Sequence, residues 1–313
     1  MGKINLILIV GVLLILAGCM QGHDHGSHSM EQIKAQANVI TNPSPIQAGE
    51  LTSLTAVFKD DKGKPLYPLM THHGRKVHML IISEDLGMIA HLHPDDFNTV
   101  SEEMELASQY EFEFTFPKAG KYIVALDVMN NEGAFSKQFV VNVEGAEKLS
   151  KINKDLSTTK IFQGFEEQGI DRYVDPVFVS DSISESGYTV KFSTDVDHPH
   201  THEEVTLSYH IEKDNVPVTD LVPFLDAPMH FGIVKAGLDG FMHTHGGPPG
   251  MSDQDDHDAT VPDKFGPDLE VKVSFPEPGL WQIFGQIKHE NKIIFTSFMM
   301  EVIEGHGIGG DDE

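Results

Sequence analysis

The chain has 313 residues with 22 Lys or Arg and 48 Asp or Glu, so its formal net charge is −26 at pH 7. A field of this sign repels nucleic acid and anionic lipid headgroups, which excludes both as direct ligands, and it attracts cations. The length gives room for two domains of ordinary size, each with its own core. Acidity can equally serve only to keep an exported protein soluble, so it does not select a function by itself.

The N-terminal stretch MGKINLILIVGVLLILAGC predicts a signal peptide over residues 1–18. One early lysine precedes a long apolar run, and the closing LAGC resembles the lipobox of bacterial lipoproteins. This resemblance implies that Cys19 becomes the first mature residue and carries lipid. Because Cys19 is the only cysteine, the chain has neither a disulfide nor a thiolate metal ligand. We therefore expect an extracytoplasmic protein that the lipid on Cys19 anchors in the membrane bilayer.

Residues 19–36 predict a flexible polar tether, since no apolar period runs through them. Its histidines, His23, His25 and His28, can bind metal loosely or belong to a plain spacer. Over residues 37–144, short apolar runs alternate with turn signals such as KDDKGK and FPKAGK. The alternation in YEFEFTF is typical of a half-buried strand. Many short strands without a long helical pattern predict an Ig-like β-sandwich.

Residues 186–304 repeat this plan and predict a second Ig-like β-sandwich. The segment FPKAGKY of the first half returns as FPEPGLW, and GGPPGMSDQDDHDAT at 246–260 predicts a loop that holds an insertion. We expect a connector over 145–185, whose later part is a candidate first strand of the second domain, and an acidic tail over 305–313. The predicted fold class is all-β, with two tandem Ig-like sandwiches formed by duplication.

A pattern of three histidines occurs once in each half. HMLIISEDLGMIAHLH and HFGIVKAGLDGFMHTH both begin with histidine and close with His-X-His at the same spacing. The six positions are His78, His91 and His93 in the first half and His230, His243 and His245 in the second. If residues 83–86 form a four-residue hairpin loop, His78 lies opposite His91, with His93 on the same face, and His230 lies opposite His243. Three converging imidazoles in each hairpin predict one metal site per domain.

Two other interpretations of these histidines stay open: they can cap the sandwich by hydrogen bonding, or only one copy can still bind. Without thiolates, imidazole ligands favour copper and zinc, followed by iron and nickel. Nearby methionines favour copper modestly, because thioether is a soft ligand, although methionine is also a common core filler. These methionines are Met79, Met88, Met229 and Met242. Met79 alternates to the face opposite His78, so we expect it to pack in the core.

Further ligands are open. Asp127 lies on a strand whose counterpart in the second half carries Gln286, so a ligand role would not be shared. His72 and His73 precede the first motif and have no counterparts in the second. We expect these two histidines to decorate an acidic surface, with satellite metal sites as the alternative. The same expectation covers His198, His200, His202, His257, His289 and His306.

The order G-K-P-L, H-x-x-x-I-S-x-D-L, H-L-H-P and F-P-x-x-G-x-Y resembles the YtkA-like and related Ig-like domains of exported bacterial proteins. The second half, with VPVTDLVPFLDAPMHFGIV, HTH and F-x-E-P-G-L-W, resembles the same group but departs from it at Gly246, where the pattern usually has proline. The resemblance covers both predicted domains, but not the tether, connector or insertion. It implies an exported β-sandwich of a group suspected of copper or heavy-metal handling, without a settled activity.

The leading functional hypothesis is a metal-binding lipoprotein that captures copper or zinc outside the cell. It would buffer the ion or deliver it to a membrane-bound metal transporter or a metalloenzyme. The alternative is a non-catalytic adhesion or protein-interaction module of tandem Ig-like domains, which explains everything except the repeated histidines. A copper redox enzyme is the weakest hypothesis: copper superoxide dismutases resemble one another in a disulfide and an arginine near the metal. This chain has no cysteine to spare and only Arg75 and Arg172, so we expect no catalytic residues.

Overall fold

The computed structural model describes residues 33–149, 160–166, 187–251 and 261–305. The predicted signal peptide, Cys19, most of the tether and nearly all of the acidic tail lie outside these residues, as do parts of the connector and the insertion. The described chain is almost entirely β-structure, with one short α-helix and one 3-10 turn. None of its helices has the length and hydrophobicity that crossing a membrane requires.

The first domain contains eight strands. They are β1 (Ala35–Asn42), β2 (Ile46–Gln47), β3 (Leu51–Asp60), β4 (Val77–Ser83), β5 (Ile89–Leu92), β6 (Gln109–Thr115), β7 (Gly120–Asn130) and β8 (Gly133–Glu144). A 3-10 turn at Pro94–Asp96 and helix α1 (Glu102–Ala107) connect β5 to β6. The sheet β1-β3-β6 packs against the sheet β2-β8-β7-β4-β5, and only the β2–β8 pair is parallel. Strand β6 buries Tyr110, Phe112 and Phe114 in the core between the sheets, which confirms the predicted half-buried strand.

The second domain repeats this architecture. Its strands are β9 (Lys160–Glu166), β10 (Tyr188–Thr194), β11 (Glu204–Lys213), β12 (Val216–Pro217), β13 (Met229–Lys235), β14 (Phe241–Gly246), β15 (Asp268–Ser274), β16 (Gly279–His289) and β17 (Lys292–Val302). One sheet pairs β11 with β10, β12 and β15, and the other has the order β14-β13-β16-β17-β9. Strand β9 falls within the predicted connector and pairs with β17, so it belongs to the second sandwich.

One corner of each sandwich is held by the same hydrogen bond in both copies. The buried Tyr122 hydroxyl donates to the Lys118 carbonyl at 2.7 Å, and the indole Nε1 of buried Trp281 donates to the Glu277 carbonyl at 3.1 Å. These bonds lie in FPKAGKY and FPEPGLW, the segments whose similarity indicated the duplication. The prediction of two tandem Ig-like sandwiches is confirmed.

The two five-stranded sheets also pack against each other, which the sequence analysis did not predict. Their outer faces form a third apolar cluster, in which Leu80, Ile89 and Ile123 of the first domain meet Val234 and Phe284 of the second. As a result, every residue of β4 is buried, because one strand face lines its own core and the other lines the domain interface. The molecule therefore has four layers of sheet, with the interface at its centre.

The predicted hairpin register is wrong by two positions in both copies. In the first hairpin Leu80, not His78, pairs with His91, and in the second His230 pairs with His245. The loop covers residues 84–87, because the backbone N–H of Ser83 donates to the Met88 carbonyl at 3.1 Å and that of Met88 donates to Ser83 Oγ at 3.0 Å. A shift of two keeps every side chain on its predicted face.

Candidate metal centre

The stacked sheets bring the six predicted histidines into one buried cluster at the domain interface. The rings of His78 and His91 both have their centroids 5.5 Å from that of His243 in the other domain, and His91 lies 5.7 Å from His230. The cluster is almost fully sealed from solvent: exposure is 0–4% for five of the residues and 2% for the His243 side chain. The sequence analysis placed one triad in each domain, whereas the structure joins both.

The first histidine of each motif donates one N–H to a backbone carbonyl six residues earlier. His78 Nε2 donates to the His72 carbonyl at 2.9 Å, and His230 Nε2 donates to the Phe224 carbonyl at 2.7 Å. A carbonyl oxygen can only accept, so the proton resides on Nε2 in both rings. The Nδ1 lone pair is left to point into the cluster.

The second histidine of each motif is oriented by the other domain. His91 Nδ1 donates to Gln286 Oε1 at 2.9 Å, and His243 Nδ1 donates to Asp127 Oδ2 at 2.8 Å. Asp127 and Gln286 occupy matching positions on β7 and β16, opposite the first histidine of their own copy. The two domains thus exchange acceptors across the interface, which fixes both rings with Nε2 deprotonated.

The inner nitrogens of the first motif face one another at very short range. His93 Nδ1 donates to Asp96 Oδ2 at 3.0 Å, so its Nε2 also carries a lone pair. His91 Nε2 lies 3.1 Å from His78 Nδ1 and 3.2 Å from His93 Nε2. Two nitrogens on one tetrahedral zinc, each at 2.0–2.1 Å, are separated by about 3.3 Å. Lone pairs held this close repel unless a proton or a metal cation lies between them.

Three inner nitrogens of the second motif have no hydrogen-bond partner among the described residues. They are His230 Nδ1, His243 Nε2 and His245 Nε2. Leaving a buried polar atom unpaired costs about 1–3 kcal/mol, so three in one place require an explanation. Candidate ligand atoms of His230, His243 and His245 lie within 4.8 Å of one another, as do those of His78, His91 and His243.

Burial keeps most of these imidazoles neutral. It lowers the pKa of His230 to about 3, with the neighbouring His243 as a second cause. Burial is also the largest cause of the lowered pKa of His93, against the hydrogen bond that His93 donates to Asp96, which raises this pKa. Burial and the other histidines place the pKa values of His78, His91 and His245 well below the ordinary value. Neutral imidazole is the form that ligates metal.

The expectation that His72 and His73 decorate the surface is wrong. The His73 ring lies 3.5 Å from that of His245, and the His72 ring lies 3.9 Å from that of His73. Both histidines lie in a turn at residues 72–75, and the second domain has the matching turn at residues 224–227. The two turns face each other across the domain interface, because a Cβ added at Gly74 would lie 3.2 Å from Asp226 Oδ2. The repeat could not predict this placement of His72 and His73, because the second copy has Phe224 and Leu225 at the matching positions.

The methionines do not contribute to the cluster. Met79 and Met88 pack in the first core, and Met229 packs in the second with Met242 against it, so the expected packing of Met79 is confirmed. The methionine thioethers therefore do not favour copper over zinc at this cluster. Imidazole remains the ligand type at the centre.

Among the other predicted surface histidines, His198 and His202 are exposed, and His200 is half-buried with its Nδ1 3.6 Å from Glu203. His210, which the prediction did not include, donates to Asp268. His289 differs from the expectation, because it is 5% exposed and its Nδ1 lies 2.6 Å from the Tyr188 hydroxyl. His257 and His306 lie outside the described residues.

A cavity of about 330 Å³ lies beside the cluster. Its wall includes Thr71 and Gly74, which flank His72 and His73, and Pro94, which follows His93.

A family model described as "Domain of unknown function (DUF8832)" matches two segments of the chain, residues 32–145 and 182–304. No curated protein matches the chain. Among solved structures, the chain is similar to the Escherichia coli adhesin FdeC at 11% identity and a TM-score of 0.22, covering 88% of this chain and 65% of that one. It is similar to the Yersinia pseudotuberculosis adhesin InvE at 11% identity and a TM-score of 0.23, covering 84% and 58%.

Dimeric latent PorU from Porphyromonas gingivalis is similar at 11% identity and a TM-score of 0.30, covering 87% of this chain and 34% of that one. The chain spans less than two thirds of the length of each of these three structures. Similarities this small carry no argument about function.

Proposed function

The chain belongs to the family of unknown function DUF8832, and from that starting point we propose that this member is a non-catalytic metal-binding protein. Its histidine cluster holds copper or zinc outside the cytoplasm and buffers the ion or delivers it. The proposal rests on one observation: three buried imidazole nitrogens, His230 Nδ1, His243 Nε2 and His245 Nε2, lie together without a hydrogen-bond partner in the described chain. A bound cation would satisfy all three.

The outer hydrogen bonds support the same proposal. Metal-binding histidines usually donate their second ring N–H to a carboxylate, a backbone carbonyl or another acceptor, which fixes the tautomer and raises ligand basicity. His78, His91, His93, His230 and His243 all do so. A cluster that only capped the sandwiches would also use the inner nitrogens of the second motif, which have no hydrogen-bond partner among the described residues.

The choice of metal follows from the ligands. The cluster offers neutral imidazoles, which suit copper, zinc, iron and nickel, and Cu²⁺ binds nitrogen sites more tightly than the other divalent ions of this series. Copper is therefore the first candidate and zinc the second. The formal charge of −26 concentrates cations near the surface and favours capture.

The location and partners belong to the same proposal. A lipid on Cys19 would hold the sandwiches at the outer face of the membrane, next to a transporter or metalloenzyme that receives the ion. The YtkA-like resemblance supports export and metal handling. Tandem Ig-like domains also suit an adhesion or interaction module, which is the alternative.

The test uses the full chain purified in detergent, with His23, His25 and His28 replaced by alanine to remove binding by the tether. After loading with Cu²⁺ or Zn²⁺ and dialysis, elemental analysis gives the bound metal per chain. We expect bound metal, and its loss when His91, His93, His243 and His245 are replaced by glutamine.

The matched control replaces His198, His200 and His202 by glutamine and should bind as the parent does. Circular dichroism confirms that each variant keeps its β-structure. A folded parent protein that retains no metal would refute metal binding and favour the interaction module.

A further inference from the structure

We propose that the histidine cluster is a single centre that holds one ion per chain, with His243 as the ligand common to both halves. This inference rests on the proposed function and replaces the sequence-based expectation of one independent site in each domain. It follows from the positions of the nitrogens and from the protons that their outer partners fix.

Both groups of ligand atoms that approach within 4.8 Å of one another include His243. One combines it with His78 and His91 of the other domain, and the other combines it with His230 and His245 of its own. His93 belongs to neither group, although its Nε2 lies 3.2 Å from His91 Nε2. The geometry therefore joins the domains through one imidazole.

His243 can serve one ion at a time. Its Nδ1 donates to the Asp127 carboxylate at 2.8 Å, which can only accept, so Nε2 carries the single available lone pair. Filling both groups at once would require removal of the Nδ1 proton and loss of the Asp127 bond. Two adjacent cations would also repel each other in a site without a carboxylate ligand to offset their charge.

The shared ligand gives the ion a route between the domains. Bound to His78, His91 and His243, it links the two sandwiches, and bound to His230, His243 and His245, it belongs to the second domain. Passing from one group to the other exchanges two ligands while His243 stays attached. The ion moves across the interface without entering solvent.

The first measurement is the stoichiometry of the folded full chain, with the tether histidines replaced as above. Co²⁺ serves as a visible probe, and Zn²⁺ is measured by calorimetry. We expect saturation at one ion per chain. Saturation at two ions would overturn the single centre while leaving metal binding intact, and binding of none would overturn the proposed function itself.

Single variants then separate a shared ligand from two independent sites. His243→Gln should weaken Zn²⁺ binding more than 100-fold, because both groups lose a ligand. His210→Gln, the control, should keep one ion at the parent affinity, because His210 lies outside the cluster and pairs with Asp268. If His243→Gln is folded and binds one ion as tightly as the parent, His243 is not shared and the inference fails.

Two further variants test the alternative groups without touching His243. His78→Gln and His230→Gln should each keep one ion, since each leaves the other group complete, and the double variant should bind as weakly as His243→Gln. A double variant that retains the parent affinity would overturn the inference. These comparisons stand even if His243→Gln does not fold.

Discussion

At the scale of single residues, the chemistry of the cluster depends on which ring nitrogen of each histidine holds the proton. Backbone carbonyls decide this for His78 and His230, and Asp127, Gln286 and Asp96 decide it for three others. Every one of these bonds leaves a lone pair on the inner nitrogen. The acceptors matter as much as the histidines, although none of them would itself touch the ion.

Replacing Asp127 by asparagine should weaken Zn²⁺ binding about 10–100-fold, since such outer partners typically contribute that much to affinity. The neutral amide accepts the His243 proton less strongly and makes Nε2 a poorer donor. Calorimetric titration measures the change. The control is Asp268→Asn, which neutralises the acceptor of exposed His210 in the same way, and equal affinities in the two variants would contradict the role of Asp127.

The buried imidazoles should make the metal-free protein less stable in mild acid. The pKa of His230 is about 3 in the folded protein and about 6.5 unfolded, so between these values only the unfolded chain binds the proton. The free energy of unfolding therefore decreases as the pH falls below 6.5, and His230 accounts for a loss of about 2 kcal/mol between pH 7 and pH 5. Urea unfolding of the parent and of His230→Gln, which stays neutral, should show this difference. Parallel curves for the two proteins would contradict it.

At the scale of strands and hairpins, the sequence predicted the face of each histidine but not its partner. The two side chains of His-X-His lie on one face of the strand in any register. The observed register differs from the predicted one by two positions, so the three histidines of each motif still lie on the predicted face. The register depends on Ser83 and Asp85, whose side chains bind backbone groups inside the loop. Propensity alone does not reveal which of several polar loop residues makes such bonds.

Gly232 tests how closely the two sheets must approach. A Cβ at this position would lie 2.9 Å from Leu80 Cδ2 and 3.0 Å from Ile89 Cδ1, across the domain interface. Gly232→Leu should separate the sheets, cost about 1–3 kcal/mol and weaken metal binding, because His78 and His91 move away from His243. Thermal unfolding and Zn²⁺ titration measure both effects. The control is Val140→Leu on β8, where the side chain is 52% exposed and the added carbon meets solvent.

At the scale of the whole molecule, the stacking of the two domains was the part that sequence did not predict. Two sandwiches and their order followed from alternation and repeats. The clue to stacking was the run VHMLIIS, in which both strand faces are apolar apart from His78 and Ser83, so neither face suits solvent. Which other surface covers that second face depends on contacts between residues far apart in the chain, such as Leu80 with Gly232.

An ion shared across the interface should stabilise both domains together. At a free Zn²⁺ concentration one hundred times the dissociation constant, stabilisation is about 2.7 kcal/mol. Calorimetric melting of the full chain should show one transition that moves upward with metal. In His78→Gln the ion can be held only by the second domain, and the first should then melt at its metal-free temperature. Equal upward shifts in parent and variant would contradict the linkage.

The exchange of acceptors between Asp127 and Gln286 has a historical consequence. Each copy orients the second histidine of the other, and neither orients its own, so a lone sandwich could not assemble these bonds. A single-domain ancestor would have needed a second molecule of itself to supply these acceptors. Fusion of two such copies would hold that pair in one chain, and it would allow one acceptor to become an acid and the other an amide. A relative with only one sandwich should therefore form this centre as a homodimer.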